Sequence, residues 1–114
     1  MRKFNKTYIV DVFGEIDFYN SMELRTLFTK MISKDIRSFI INLENVEYID
    51  SSGIGVLIFI CEKVFKENFQ LAIANVQGML KNVIELTKLE SYFPLVDSVE
   101  EAIMKFESES VLAI

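Results

Sequence analysis

The sequence predicts an α/β domain with parallel strands, and three features lead there. Runs rich in β-branched, aromatic and other apolar residues at 7–13, 38–43 and 69–76 have the length and composition of strands. The stretches between them place apolar residues three and four apart, which lines one face of a helix. Strand and helix alternate, and a helix joining two strands of one sheet makes a right-handed crossover between parallel neighbours. With 114 residues, 51% hydrophobic and 25% charged, the chain is long enough for one domain around one core. No repeat, linker or low-complexity stretch divides it, so residues 1–114 are read as a single domain.

The first half reads in order as follows. Arg2-Lys3-Phe4 is a short partner strand and Asn5-Lys6 its turn. Thr7 to Phe13 is the first long strand, and Gly14 to Asn20 a loop. Asn20 and Glu23 resemble a capping box, in which cap and third residue satisfy each other's N–H groups. Leu24, Leu27, Phe28, Met31 and Ile32 then form an apolar helical stripe, with Glu23, Arg25, Thr26, Thr29 and Lys30 on the wet face. Ser38 to Leu43 is the central strand, and Glu44-Asn45 a turn after it.

Next comes Tyr48-Ile49-Asp50-Ser51-Ser52-Gly53-Ile54-Gly55-Val56-Leu57, a strand-to-helix connection. Ser51 or Ser52 is the helix N-cap, since a short hydroxyl accepts from the unpaired N–H groups of the first turn. Those N–H groups and the helix dipole also suit an anion, such as a phosphate carried on a serine. Gly53 lets another backbone or protein approach the first turn. Gly55 allows tight helix packing, at a cost of about 1 kcal/mol relative to alanine. The helix runs from Ser52 to Lys66. Its stripe is Ile54, Leu57, Ile58, Cys61, Val64 and Phe65; Val56, Phe59 and Ile60 fall outside it, either covered by a neighbour or exposed beside the serines.

Phe69 to Val76 is a further strand, and Met79, Leu80, Val83, Ile84 and Thr87 mark a third helix. Phe93-Pro94-Leu95-Val96 is a short segment where proline fits only an edge or a strand start. Ser98-Val99-Glu100-Glu101 is a capping box, and Val99, Ala102, Ile103 and Phe106 form a last helix. The tail, Glu107 to Ile114, turns polar and then apolar and receives no assignment.

Composition removes whole classes of chemistry. There is no histidine, which excludes Ser-His-Asp and Cys-His catalysis, histidine phosphotransfer and the commonest zinc ligand. No metal or cofactor site is expected: no phosphate-binding glycine loop or dinucleotide motif is present, and Gly53-Ile54-Gly55 is a lone fragment. The single cysteine, Cys61, sits in an apolar pattern and reads as a core residue. A net charge of −5 argues against nucleic acid, which needs a basic surface. No apolar run approaches the roughly 20 residues that span a bilayer, and Met1-Arg2-Lys3 does not open a signal peptide, so a cytoplasmic protein is expected. Glue for acid–base chemistry would have to come from Glu15, Asp17 and Asp50, if their loops open on one sheet end. The blander role of such aspartates is to accept hydrogen bonds from loop N–H groups.

Asp50-Ser51-Ser52-Gly53-Ile54-Gly55, preceded by Ile41-Asn42-Leu43 and Val46, resembles the signature of STAS domains, and most of all that of bacterial anti-sigma factor antagonists. Gly14-Glu15-Ile16-Asp17 matches that family's first loop and Leu86-Thr87-Lys88-Leu89 its third-helix segment, so the likeness runs from about Tyr8 to about Phe106. It implies a mixed sheet of about four to five strands with about four helices. It also implies a role that is not enzymatic. Such antagonists bind an anti-sigma factor that is itself a serine kinase, which releases the sigma factor. They are switched off when that kinase phosphorylates the serine before the motif glycine, here Ser52, and a metal-dependent serine phosphatase reverses this. Asp50, Ser51 and Gly53 would support the switch loop. Asp17, Phe18, Tyr19, Asn20, Ser21, Ile54, Val56 and Phe59 would border the partner, with one of the adjacent aromatics free to return to the core. A monomer or weak homodimer is expected. A STAS subunit without a phosphate cycle, in a signalling scaffold or a lipid-transport complex, is the alternative. Asn42 stands where the family often has aspartate.

Overall fold

The six residues Ser38–Leu43 are buried in succession, the pattern of a strand covered on both faces rather than one. In the structure, a computed structural model describing residues 1–112 with side chains through Glu109, that run is the middle of a sheet. The elements in order are β1 (Arg2–Phe4), β2 (Thr7–Ile16), α1 (Ser21–Ser33), β3 (Ser38–Ile49), α2 (Ser51–Lys66), β4 (Gln70–Ala74), α3 (Gly78–Leu86), β5 (Leu95–Val96) and α4 (Val99–Leu112). The strand order is β1-β2-β3-β4-β5. β1 lies antiparallel to β2, and the other pairs are parallel, so the sheet is mixed.

The larger core lies on the sheet face that carries α1, α2 and α3, where Phe28, Phe39, Ile41, Leu57, Ile60 and Ile84 are sealed together. On the other face Ile9, Ile40, Ala72 and Ala74 meet Val99, Ala102 and Phe106 of α4. The alanines of β4 keep that face low, so a helix can seat closely. Beside them Arg2 forks onto Asp11 with two 2.7 Å bonds, and Asn42 Nδ2 donates to Asp11 Oδ1 at 2.8 Å. Asn42 Oδ1 accepts from Asn75 Nδ2 at 2.8 Å. Arg2, and then Asn42, hold the Asp11 carboxyl below its ordinary value. An aspartate at 42 would face Asp11 with a second carboxylate, whereas asparagine can donate to it; this accounts for the residue found there.

Two expected loops are strand instead. β2 continues past Phe13 to Ile16, and β3 runs through Glu44-Asn45 to Ile49 without a turn. The two extensions pair with each other, Phe13 with Asn45 and Ile16 with Ile49, through register shifts on either side of Gly14. Each shift inserts an extra residue on the β3 side, and Gly14, paired with Val46 between the two shifts, takes φ +83° within the strand and does not start a loop. β4 pairs with β3 only up to Asn42, so this half of β3 lacks its second neighbour and tolerates polar residues.

The remaining elements follow the sequence reading closely. β4 is shorter than residues 69–76, and β5 is two edge residues whose preceding Pro94 carbonyl accepts from Ile73. Ser98 Oγ accepts from Glu101 N at 3.0 Å, while the Glu101 carboxylate reaches back to Asp97 N and not to Ser98 N. α4 carries the unassigned tail on as helix through Leu112; Ala113 and Ile114 lie outside the described residues.

Candidate functional site

The motif stretch forms the corner where β3 hands over to α2. Asp50 is extended, at φ −109° and ψ −173°, and Ser51 is already helical. The cap is therefore Asp50 and neither serine. Its Oδ1 accepts from Ser52 N at 2.9 Å and from Gly53 N at 3.1 Å. A carboxylate there also faces the positive end of the helix dipole. The expected serine cap gives way because only the last extended residue can turn its side chain onto the first N–H groups.

Asp50 also bonds to the end of β2 and to the loop after it. Its Oδ2 accepts from Phe18 N at 3.1 Å, and its N–H donates to Ile16 O at 3.3 Å. Gly53 completes the contact. A Cβ on it would collide with the Ile16 carbonyl and the Ile49 side chain, so the close backbone approach comes from β2 of this same chain. Gly55 corrects the packing expectation. It is exposed and open space surrounds it, so no internal contact requires it.

The β2–α1 loop is tied by its own side chains. Asp17 Oδ1 accepts from Tyr19 N at 2.9 Å and from Asn20 N at 3.1 Å. Asn20 Oδ1 accepts from Asp17 N at 2.9 Å, and its Nδ2 donates to Glu15 O at 2.6 Å. Asn20 occupies the cap position of α1 but its side chain does not cap, because these loop bonds occupy it. Asp50 thus spends both side-chain oxygens, and Asp17 its Oδ1, on backbone N–H groups, while Glu15 is exposed on β2.

Exposure sorts the remaining candidates. Ser51 is exposed and Ser52 half-buried, and neither hydroxyl hydrogen-bonds another described residue. Phe18 and Tyr19 are 71% and 88% exposed, with their rings edge to face at 5.6 Å. Neither returns to the core. Ser21, Ile54 and Val56 are buried, which corrects the expectation that they line a partner surface. Val56 and Ile60 belong to the core that α1 and α2 share, and Phe59 is half-buried beneath Arg25, whose guanidinium carbon is 3.9 Å from the ring centroid. Two exposed apolar residues at this end escaped the sequence reading, Met22 and Tyr48. Met22 falls off the apolar stripe of α1, and that was the available signal.

The thiol of Cys61 is buried and unbridged, and burial pushes it up to about 12, so it stays protonated and inert. Among the described residues no helix is long and apolar enough to cross a membrane, and no group of acidic or cysteine side chains is placed to hold a metal.

Comparison with known proteins gives the corner a context. The family model described as the STAS domain matches residues 1–102. Over 96 residues the chain is 31% identical to the anti-sigma-B factor antagonist of Staphylococcus aureus (strain NCTC 8325 / PS 47), covering 84% of this chain and 89% of that protein. A solved anti-sigma factor antagonist from Mycobacterium paratuberculosis superposes with a TM-score of 0.81 at 26% identity, covering 91% of this chain and 88% of that one. The Bacillus cell fate determinant SpoIIAA in its phosphorylated form superposes with a TM-score of 0.74 at 21% identity, over 93% of this chain and 96% of that one; the likeness there is one of fold.

Proposed function

The chain belongs to the STAS domain family, and on that premise we propose that it is an anti-sigma factor antagonist switched by phosphorylation of Ser52. The observation that carries the reading is the division of labour at the α2 corner. Asp50 supplies the cap, so the Ser52 hydroxyl has no structural duty and stands partly open to solvent. The simple view that the serines are there to cap a helix loses its ground. Phe18 and Tyr19, bare and adjacent to this corner through the Asp50 bond, supply the aromatic anchors of a protein-binding surface. In this reading the partner is an anti-sigma factor with serine-kinase activity, and it brings the ATP, the magnesium ion and the catalytic base. A metal-dependent serine phosphatase resets the switch. The chain itself acts as a monomer or weak homodimer in the cytoplasm.

The charge does the switching. A phosphate adds about −1.5 to −2 charges at neutral pH, next to Asp50 and with Asp17 in the adjoining loop. Drying that charge under a partner would cost several kcal/mol, and affinity falls tenfold for about each 1.4 kcal/mol. No refolding of the domain is needed. The test is incubation with the anti-sigma kinase of the source genome and ATP, read by intact mass. One phosphate should appear on the wild type and none on Ser52→Ala. Equal labelling of Ser52→Ala would remove Ser52 as acceptor, and a Ser52→Asp protein that binds the kinase as tightly as wild type would remove the charge mechanism.

A further inference from the structure

We propose that Asp50 relays a phosphate on Ser52 to the Phe18–Tyr19 loop, so that modification loosens the aromatic anchors as well as charging the surface. The inference rests on Ser52 being the modified residue, and it concerns what the fold does next. Three observations carry it. First, the two oxygens of Asp50 serve different elements: Oδ1 holds Ser52 N and Gly53 N of α2, and Oδ2 holds Phe18 N. Second, the loop is otherwise closed on itself through Asp17 and Asn20. Among the described residues, the Phe18–Asp50 bond is the hydrogen bond joining residues 17–20 to residues 50–53. Third, Phe18 and Tyr19 are almost bare, so little packing holds them once that bond is lost.

The physics follows from the shape of the group. A carboxylate is planar and rigid, so rotation about its Cα–Cβ or Cβ–Cγ bond moves both oxygens together. A phosphoserine dianion at 52 repels it and competes for the same first-turn N–H groups. Any swing that relieves the repulsion at Oδ1 carries Oδ2 away from Phe18 N. A charge change at Ser52 on α2 becomes a positional change at Phe18, in the loop before α1.

Asp50→Asn separates the two duties. Asparagine caps a helix about as well as aspartate, so its oxygen keeps Ser52 N and Gly53 N. Its NH2 group cannot accept from Phe18 N. The experiment is amide hydrogen exchange by NMR on the full chain, with phosphoserine encoded at position 52 during translation so that no kinase is required. In Asp50→Asn the Phe18 amide should exchange about tenfold faster while Ser52 and Gly53 keep their protection, the order expected for one bond to a charged acceptor. The phosphoserine protein should show the same acceleration at Phe18, and adding phosphoserine to Asp50→Asn should add nothing further there. Phe18 exchange unchanged by phosphoserine overturns the relay, and so does an equal phosphoserine effect with and without the Asp50 carboxylate. Should Asp50→Asn fail to fold, the modified and unmodified wild types still decide. A kinase that ignores Ser52 would sink the proposed function and leave this result standing.

Discussion

Two pairs of hydroxyls stand at opposite ends of the sheet, and only one pair is employed. Thr7 and Ser38, at the starts of β2 and β3, share a part-buried hydrogen bond of 2.8 Å. The hydroxyls of Ser51 and Ser52, just past the end of β3, hydrogen-bond no other described residue. The side chains are chemically alike; what differs is whether a neighbour already serves the backbone around them. At the first end no carboxylate is in the bond, and the hydroxyls satisfy each other. At the second, the Asp50 carboxylate accepts from Ser52 N and Gly53 N and leaves the serine hydroxyls spare. A residue becomes available for modification when its fold does not need it.

That difference can be broken from its support first. Gly53→Ala drives a Cβ into the Ile16 carbonyl, where backbone cannot yield cheaply. The expected loss is about 3 kcal/mol, the upper range of overpacking, read as a fall in the urea midpoint. Next, Ser38→Ala should cost about 1–2 kcal/mol in the same measurement, because it strands the Thr7 hydroxyl in a part-buried site. Gly55→Ala should do the reverse and stabilise by about 1 kcal/mol, since the glycine lies inside an exposed helix turn with open space around it. Smallest of all, Ser52→Ala should stay within about 0.5 kcal/mol of wild type. A Ser52→Ala loss matching that of Ser38→Ala would mean that the two pairs do the same structural work, and the contrast would fail.

Most of the fold was legible because periodicity is local. The stripe of Leu24, Phe28 and Met31, the buried run of β3, and the edge proline before β5 all read correctly from spacing and residue type. The errors cluster at the site end. Gly14 and Glu44-Asn45 carry turn chemistry, yet they lie in strands because each extension finds the other as its partner. Ile54 and Val56 stand next to the motif in sequence and are nevertheless buried, since α1 and the sheet press on α2 from adjoining sides. Asp17 and Asn20 were legible as loop residues, but their mutual bonds were not, because a capping box and an aspartate turn use the same residue types.

The sequence by itself determined the alternation of strand and helix, the mixed sheet implied by its family motif, the inert cysteine and the absence of histidine chemistry. Each of these depends on residue type and on spacing within a turn or two. Tertiary structure alone decided which of three cap-competent residues, Asp50, Ser51 or Ser52, would cap α2. The choice rests on one residue's extended backbone and on an N–H group of Phe18, brought across from a distant loop to share the same carboxylate. Long-range contacts of that kind leave no trace in local pattern, because nothing in the residues from 50 to 53 says which donor the second oxygen will meet.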